Sequence, residues 1–359
     1  MIENISKAQI VWPQEGVIPV TPDVDFIYIL RKDIRFTCDP LAQKLAKDEG
    51  GMHHLQRSLY AEYDAFTARL TDKLLNGFAH KGNIQVHIFD PDILDQATRA
   101  KSIGIPLISL DPLMNKRVYQ HQVSRGYYLG GVVDFGQVSR PRTQPLPVQA
   151  AEIASALNGT PAAVCEDDIF SGGSTISAVH ELTKNRVKIA KIIPGIQIGQ
   201  PQKLLDMGIP LEPIVKYETT DGTDIFDKVD LGDPRDYLVG ISGLVVKLPD
   251  GSFGRSPYTL PFVSPTARAG IPVETEKQFS LDVLKANHEF YRNIGTAYNR
   301  EVLLKHVDHD FHHMMTTLFG FKGQVPMHFI IEWAAENMDK IWELNKAKAE
   351  EQQKGMVKA

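Results

Sequence analysis

The sequence predicts an α/β fold, a parallel sheet flanked by helices, with an additional loop-rich and helical accessory region. Two observations carry this expectation. Between residues 83 and 199, short apolar runs alternate with helix-like runs, the pattern of parallel strands joined by crossover helices. After about residue 235 the alternation gives way to glycine-rich loops, and from about 275 to helical composition. The boundaries read from these changes are an N-terminal accessory segment (1–49), an α/β core (50–235) and a C-terminal accessory or hood region (236–359).

The elements follow in order. "DFIYILRKDIRF" (25–36) is β-like. In 52–78, Leu55, Leu59, Phe66, Leu70 and Leu74 recur at helical spacing, and Asn76-Gly77 supplies a stop. "NIQVHIF" (83–89) reads as a buried strand, "ILDQATRAKSIG" (93–104) as a helix closed by Gly104, and "IPLISL" (105–110) as the next strand. A loop-rich stretch with Gly126, Gly130, Gly131 and several arginines reaches about residue 146. A helix over 147–159, a strand over 161–167, a helix over 174–185 and a strand over 188–199 complete the alternating block. Asp250-Gly251 marks a hairpin turn. The last fifteen residues are polar and are expected to fray.

Composition narrows the function. The 359 residues are 43% hydrophobic and 23% charged, ordinary for a globular enzyme. A formal charge of −5 gives no nucleic-acid footprint. Cys38 and Cys165 alone cannot build a disulfide framework or a cysteine zinc site. With no signal-peptide pattern and no transmembrane segment, a cytoplasmic protein is expected. Neither GxxxxGK[ST] nor GxGxxG is present.

The informative stretch is "VCEDDIFSGGST" (164–175). An apolar strand runs into acids, and a small, hydroxyl-rich loop then turns into a helix. Unbonded amides at a helix start bind anions, and glycine lets that backbone approach a phosphate closely. The acids repel phosphate but accept hydrogen bonds from sugar hydroxyls or share a metal with phosphate oxygens. A ribose 5-phosphate group satisfies both halves.

This stretch resembles the binding motif for 5-phosphoribosyl 1-pyrophosphate (PRPP) of type I phosphoribosyltransferases. Asp167-Asp168 match the acid pair, Ile169-Phe170 the apolar pair, and Ser171-Gly172-Gly173-Ser174-Thr175 the phosphate loop. Gly172 departs from the family's usual hydroxyl residue, and Glu166 is an additional acid. The resemblance implies a pentosyl-transferring (glycosyltransferase-type) enzyme using PRPP with magnesium (Mg2+) and releasing pyrophosphate. Asp167 and Asp168 would contact the ribose hydroxyls, and residues 171–175 would hold the 5-phosphate. It also makes a homodimer an expectation.

Further residues are read through that resemblance. Asp90 and Asp92, in "IFDPD", would reach the metal, or else cap a helix. Lys116, Arg117, Arg140 and Arg142 would grip pyrophosphate, with Arg125 in a loop that closes over the donor. Arg255 and Tyr258, in "GSFGRSPY", are candidates for the acceptor. The His306–His313 cluster, with His309 and His313 four apart, would bind a transition metal or the acceptor, or form polar surface. The acceptor is a bulky or non-base group such as a sugar hydroxyl, or alternatively a nucleobase. A regulatory protein that binds PRPP without catalysis is the third reading.

Overall fold

A computed structural model describes residues 9–46, 52–78, 81–111 and 118–356. The strands are β1 (Gln9–Val11), β2 (Gly16–Val20), β3 (Phe26–Arg31), β4 (Ile84–Phe89), β5 (Leu107–Ser109), β6 (Tyr119–Gln120) and β7 (Val123–Tyr127), then β8 (Asp134–Ser139), β9 (Ala162–Ile169), β10 (Ile189–Ile198), β11 (Val215–Thr219), β12 (Val229–Gly232), β13 (Leu244–Lys247) and β14 (Phe253–Ser256). The helices are α1 (Ile34–Ala46), α2 (Met52–Gly77), α3 (Pro91–Lys101), α4 (Leu146–Leu157), α5 (Gly173–Lys184), α6 (Gln202–Leu205) and α7 (Ile225–Lys228), then α8 (Pro234–Tyr237), α9 (Pro265–Ala269), α10 (Val273–Ala297), α11 (His309–Phe319), α12 (Met327–Glu336) and α13 (Met338–Met356).

The fold is α/β, with parallel sheets flanked by helices and an extra helical region. The alternating block divides between two wholly parallel sheets, ordered β1-β4-β3-β12 and β2-β11-β10-β9-β5-β6. Where sequence suggests one sheet, β4 pairs with β1 and β3 instead of joining β5. Strand β3 shows why its apolar run is nearly continuous. Ile27 and Ile29 share a cluster with Ile193 and Ile196 of the second sheet, whereas Phe26, Tyr28 and Leu30 pack with the helices. Burial on both faces removes the polar alternation of a half-exposed strand. The second sheet is covered on its other side by α4 and α5, through Ile153, Val179 and Leu182 against Ala162 and Val164.

The third sheet, β14-β13-β7-β8, is mixed: β13 runs parallel to β7, and the outer pairs are antiparallel. Part of the stretch that reads as loop is therefore the β7–β8 hairpin. Gly126 is required there, because a Cβ would lie 2.5 Å from the Phe135 ring. The Asp250-Gly251 turn joins β13 to β14 as expected, with Gly251 at φ +85°.

Helix α10 packs along α2, with Phe279, Val283, Phe290 and Ile294 buried at helical spacing and Phe66 edge-on to Phe290 at 6.0 Å. Two further expectations change. The β-like run from 25 ends at Arg31, and α1 begins at Ile34. The polar C-terminal stretch is helical through Met356, because Asn345 and Ala349 form a buried face one turn apart. Asn345 also donates to the Pro261 carbonyl at 3.0 Å. Among the described residues, no helix is long and apolar enough to cross a membrane.

One buried amide ties the helical layer to the site. Asn287 of α10 accepts from the Val239 amide (2.7 Å) and donates to the carbonyls of Tyr237 and Val283 (2.9 Å each). Replacing it with leucine strands the Val239 N–H and the Tyr237 C=O. Asn287→Leu is expected to destabilise the fold by about 1–3 kcal/mol in urea unfolding.

Candidate functional site

The carboxyl ends of four parallel strands converge at one place, where α/β sheets commonly bind ligands. β3 delivers Arg31, β5 leads to Asp111, β9 carries Asp167 and Asp168, and β12 leads to Asp233. The third sheet closes the opposite side. Cavities of about 450 and 350 Å³ share Asp167, Asp168, Phe170, Arg140 and Tyr258 on their walls.

The loop from Ser171 to Thr175 lines the 450 Å³ cavity. Gly172 is the residue before α5, in the left-handed conformation (φ 75°), where a Cβ would lie 3.2 Å from Leu204 Cβ. Glycine is therefore fitted to that position by backbone and space. No side chain caps the helix, and its first turn closes with the Ile176 amide on the Gly172 carbonyl (2.8 Å). The amides of residues 173–175 precede that bond and point outward. Arg125 donates to Ser174 Oγ at 3.4 Å, and Gln137 donates to the Ser174 carbonyl at 2.8 Å.

The acid pair sits in a buried ionic network. Arg31, 2% exposed, donates through Nε to Asp233 (2.7 Å) and pairs with Asp167, while Asp168 lies 3.9 Å away. Arg235 reaches Asp33 at 2.7 Å, Asp233 at 3.3 Å and Asp111 at 3.7 Å. Arg140 donates to the Val123 and Leu110 carbonyls (3.2 Å each) and approaches Asp111 at 3.5 Å.

Carboxyls outnumber guanidiniums here, so the acids divide by environment. Burial alone would push Asp167 up, but Arg31, the bond with Glu166 and Arg235 override it and hold its carboxyl well below the usual range. Burial pushes Asp168 well up, and the Asp167 charge adds to this more than Arg31 opposes it. Burial and Asp167 likewise raise Glu166, and they bring Asp111 to about 6. Asp167 is thus the fixed charge, and Asp168, 23% exposed and facing the cavity, is the adjustable one.

The other expected residues are distributed as follows. Arg140 lines the cavities beside the acids, whereas Arg142 turns away and pairs with Asp310 (2.9 and 3.3 Å). Arg255 and Tyr258 both line the 350 Å³ cavity. Asp90 caps α3 by accepting from the Asp92 amide (2.8 Å), and Asp92 is exposed; neither lines these cavities. Strand β5, not β4, neighbours β9, so Asp111, just past the end of β5, adjoins the acid pair. Lys116 and Arg117 lie outside the described residues. His309 is largely exposed beside Asp310 at 3.3 Å, and His313 Nε2 lies 2.7 Å from Ser252 Oγ. Sequence reasoning missed Arg31, Asp33, Asp111, Asp233 and Arg235. Their one local signal is a charge placed where an apolar run ends.

Over 135 residues the chain is 25% identical to a hypoxanthine/guanine phosphoribosyltransferase of Methanotorris igneus, a match covering 37% of this chain and 71% of that protein. No protein-family profile matches the chain. The similarity suggests a phosphoribosyltransferase relationship and goes no further.

Burial pushes the Asp33 carboxyl up to about 7 against the pull of Arg235. The folded state then binds this proton more tightly than the unfolded chain, so stability falls as pH rises between about 4 and about 7. Asp33→Asn should remove that contribution. Urea melts across the window are expected to show a shallower loss than wild type, and identical slopes would exclude Asp33 as the titrating group.

Proposed function

We propose that the protein is a phosphoribosyltransferase that takes PRPP with Mg2+ and transfers its phosphoribosyl group to an acceptor, whose nucleophilic atom bonds to ribose C1 as pyrophosphate leaves. One observation carries the reading: the open amino end of α5 and the Asp167–Asp168 pair line the same 450 Å³ cavity. In this reading residues 171–175 bind the 5-phosphate through backbone amides and hydroxyls, with Arg125 adding charge. Asp168 accepts hydrogen bonds from the ribose hydroxyls. Asp167, fixed by Arg31, keeps a negative charge near C1, where positive charge develops as the leaving group departs. Arg140 faces the departing pyrophosphate.

Among the described residues, no cluster of three or more His, Cys, Asp or Glu is arranged to hold a metal ion. A metal shared with a donor's phosphates needs only one or two carboxylates and water, and Asp111 and Asp168 on the cavity wall fit that demand. Bound there, Mg2+ would neutralise charge on the leaving pyrophosphate. The excess of buried carboxyls over guanidiniums also favours a cationic guest.

The test is pyrophosphate release from Mg2+-PRPP across a panel of nucleobase, hydroxyl and acidic acceptors. Wild type is expected to release pyrophosphate with at least one class. Asp168→Asn, which takes a charged acceptor from the ribose hydroxyls and a ligand from the metal, should lower release by about 100-fold through misplacement of the donor. Gly172→Val, strained at φ 75° and against Leu204, should weaken PRPP binding measured by calorimetry. Undiminished turnover in an Asp167→Asn/Asp168→Asn double variant would refute the assignment.

A further inference from the structure

Beyond the acid pair lies a third space with the opposite charge. A cavity of about 780 Å³ opens between α1, the turn at 140–143, residues 241–242 and the start of α11. Its wall carries Lys44, Arg140, Arg142, Arg235, Arg255 and Lys305, with Asp308 and Asp310 as its acids. Both acids are engaged. Asp308 caps α11 by accepting from the amides of Asp310 and Phe311 (2.9 and 3.1 Å), and Asp310 takes the guanidinium of Arg142. Arg140 and Arg235 already hold Asp111, Asp33 and Asp233, so the cations that face this space for a guest are Arg255 and the exposed Lys305.

Arg140, Arg235 and Arg255 also line the 350 Å³ cavity, so they form a wall common to both spaces. Burial lowers the Arg140 pKa; Asp111 opposes this, and the like charges of Arg255 and Arg235 add to it. Arg255 Nε is buried and makes no hydrogen bond among the described residues, with the nearest Asp310 oxygen 3.8 Å away. His312 sits in the same field: burial lowers its pKa, and His309, Lys44 and His313 lower it further. Its ring lies against Gly323, where a Cβ would come within 3.1 Å of it. The volume is that of a small-molecule pocket.

Resting on the phosphoribosyl-transfer reading, we propose that this cavity is the acceptor chamber and that it takes an acidic acceptor, a small molecule bearing a phosphate or carboxylate. The shared arginine wall places such a group beside the ribose acids without exposing it to them. A neutral nucleobase would leave the buried Arg255 Nε without a hydrogen bond, and this cost selects against it. Lys305, exposed at the rim, adds attraction on approach.

The test follows the His312 imidazole resonances of the full-length chain while inorganic phosphate, and separately citrate, is added with and without saturating Mg2+-PRPP. A saturable shift that persists with PRPP bound is expected. Response to phosphate alone indicates a phosphorylated acceptor, and response to citrate alone a carboxylate. Lys305→Ala should weaken binding about two- to fivefold, the range of one exposed ion pair. Arg255→Ala should weaken it more, and Ser174→Ala, in the phosphate loop, should leave it unchanged. No saturable shift with either anion, or a shift abolished by Mg2+-PRPP, would overturn the proposal. Failure of Mg2+-PRPP to bind wild type, with the anion response intact, would overturn the donor reading and the acceptor role, and leave an anion chamber.

Discussion

The pairing of Arg31 with Asp167 and Asp233 is the contact on which the site depends. Arg31 ends a strand of the first sheet, Asp167 lies on the second, and Asp233 follows the strand beside Arg31. A guanidinium at 2% exposure has lost nearly all its water, so its carboxylate partners must be in place before burial is tolerable. That requirement fixes the relative position of the two sheets at their carboxyl ends. Apolar contact between Ile27, Ile29 and the second sheet holds the layers together, but apolar contact is non-directional and tolerates sliding. The charge network does not tolerate it.

The same network divides two adjacent acids into different chemical species. Asp167 and Asp168 are neighbours on one strand, and strand geometry sends consecutive side chains to opposite faces. Both carboxylates line the cavities, but Asp167 takes the Arg31 guanidinium while Asp168 stands 3.9 Å from it. The charge fixed on Asp167 is itself a cause of the raised affinity of Asp168 and Glu166 for protons. A cation or hydroxyl donor entering the cavity would relieve that strain. The site is thus set up for a guest carrying anionic and hydroxylated or cationic parts side by side, because the amide-rich end of α5 adjoins the acids.

How much of this could be read from the sequence depends on how local each feature is. The loop 171–175 and the acid pair are contiguous, so the way residues 164–175 run from strand end to helix start is legible as a unit. The strands were legible because burial on both faces makes their apolar runs nearly continuous. Strand partnership was not, since nothing in "NIQVHIF" states that β4 will join β3 instead of β5. Arg31, Asp111, Asp233 and Arg235 are brought together from distant segments by that pairing. Each follows or ends an apolar run, a signal that becomes specific only when the strand order is known. The continuation of α13 past Asn345 is not legible, because its buried face in that stretch rests on Asn345 and Ala349, too sparse for periodicity to register.

The arrangement of charge gives the accessory elements a physical role. The parallel sheets alone present an acid-rich pole, which would repel a second anion brought close to the first. The elements after residue 235 contribute Arg255, Lys305 and the start of α11, while Arg140 and Arg142 come from the turn after β8. Together they build a basic compartment that abuts the acidic one through shared guanidiniums. On the proposed reading, two compartments of opposite sign hold two anionic molecules with their reacting ends adjacent and their charged ends apart. Such a division needs more chain than a single ligand pocket, and it accounts for helices packed around a cavity that the sheets by themselves would leave open.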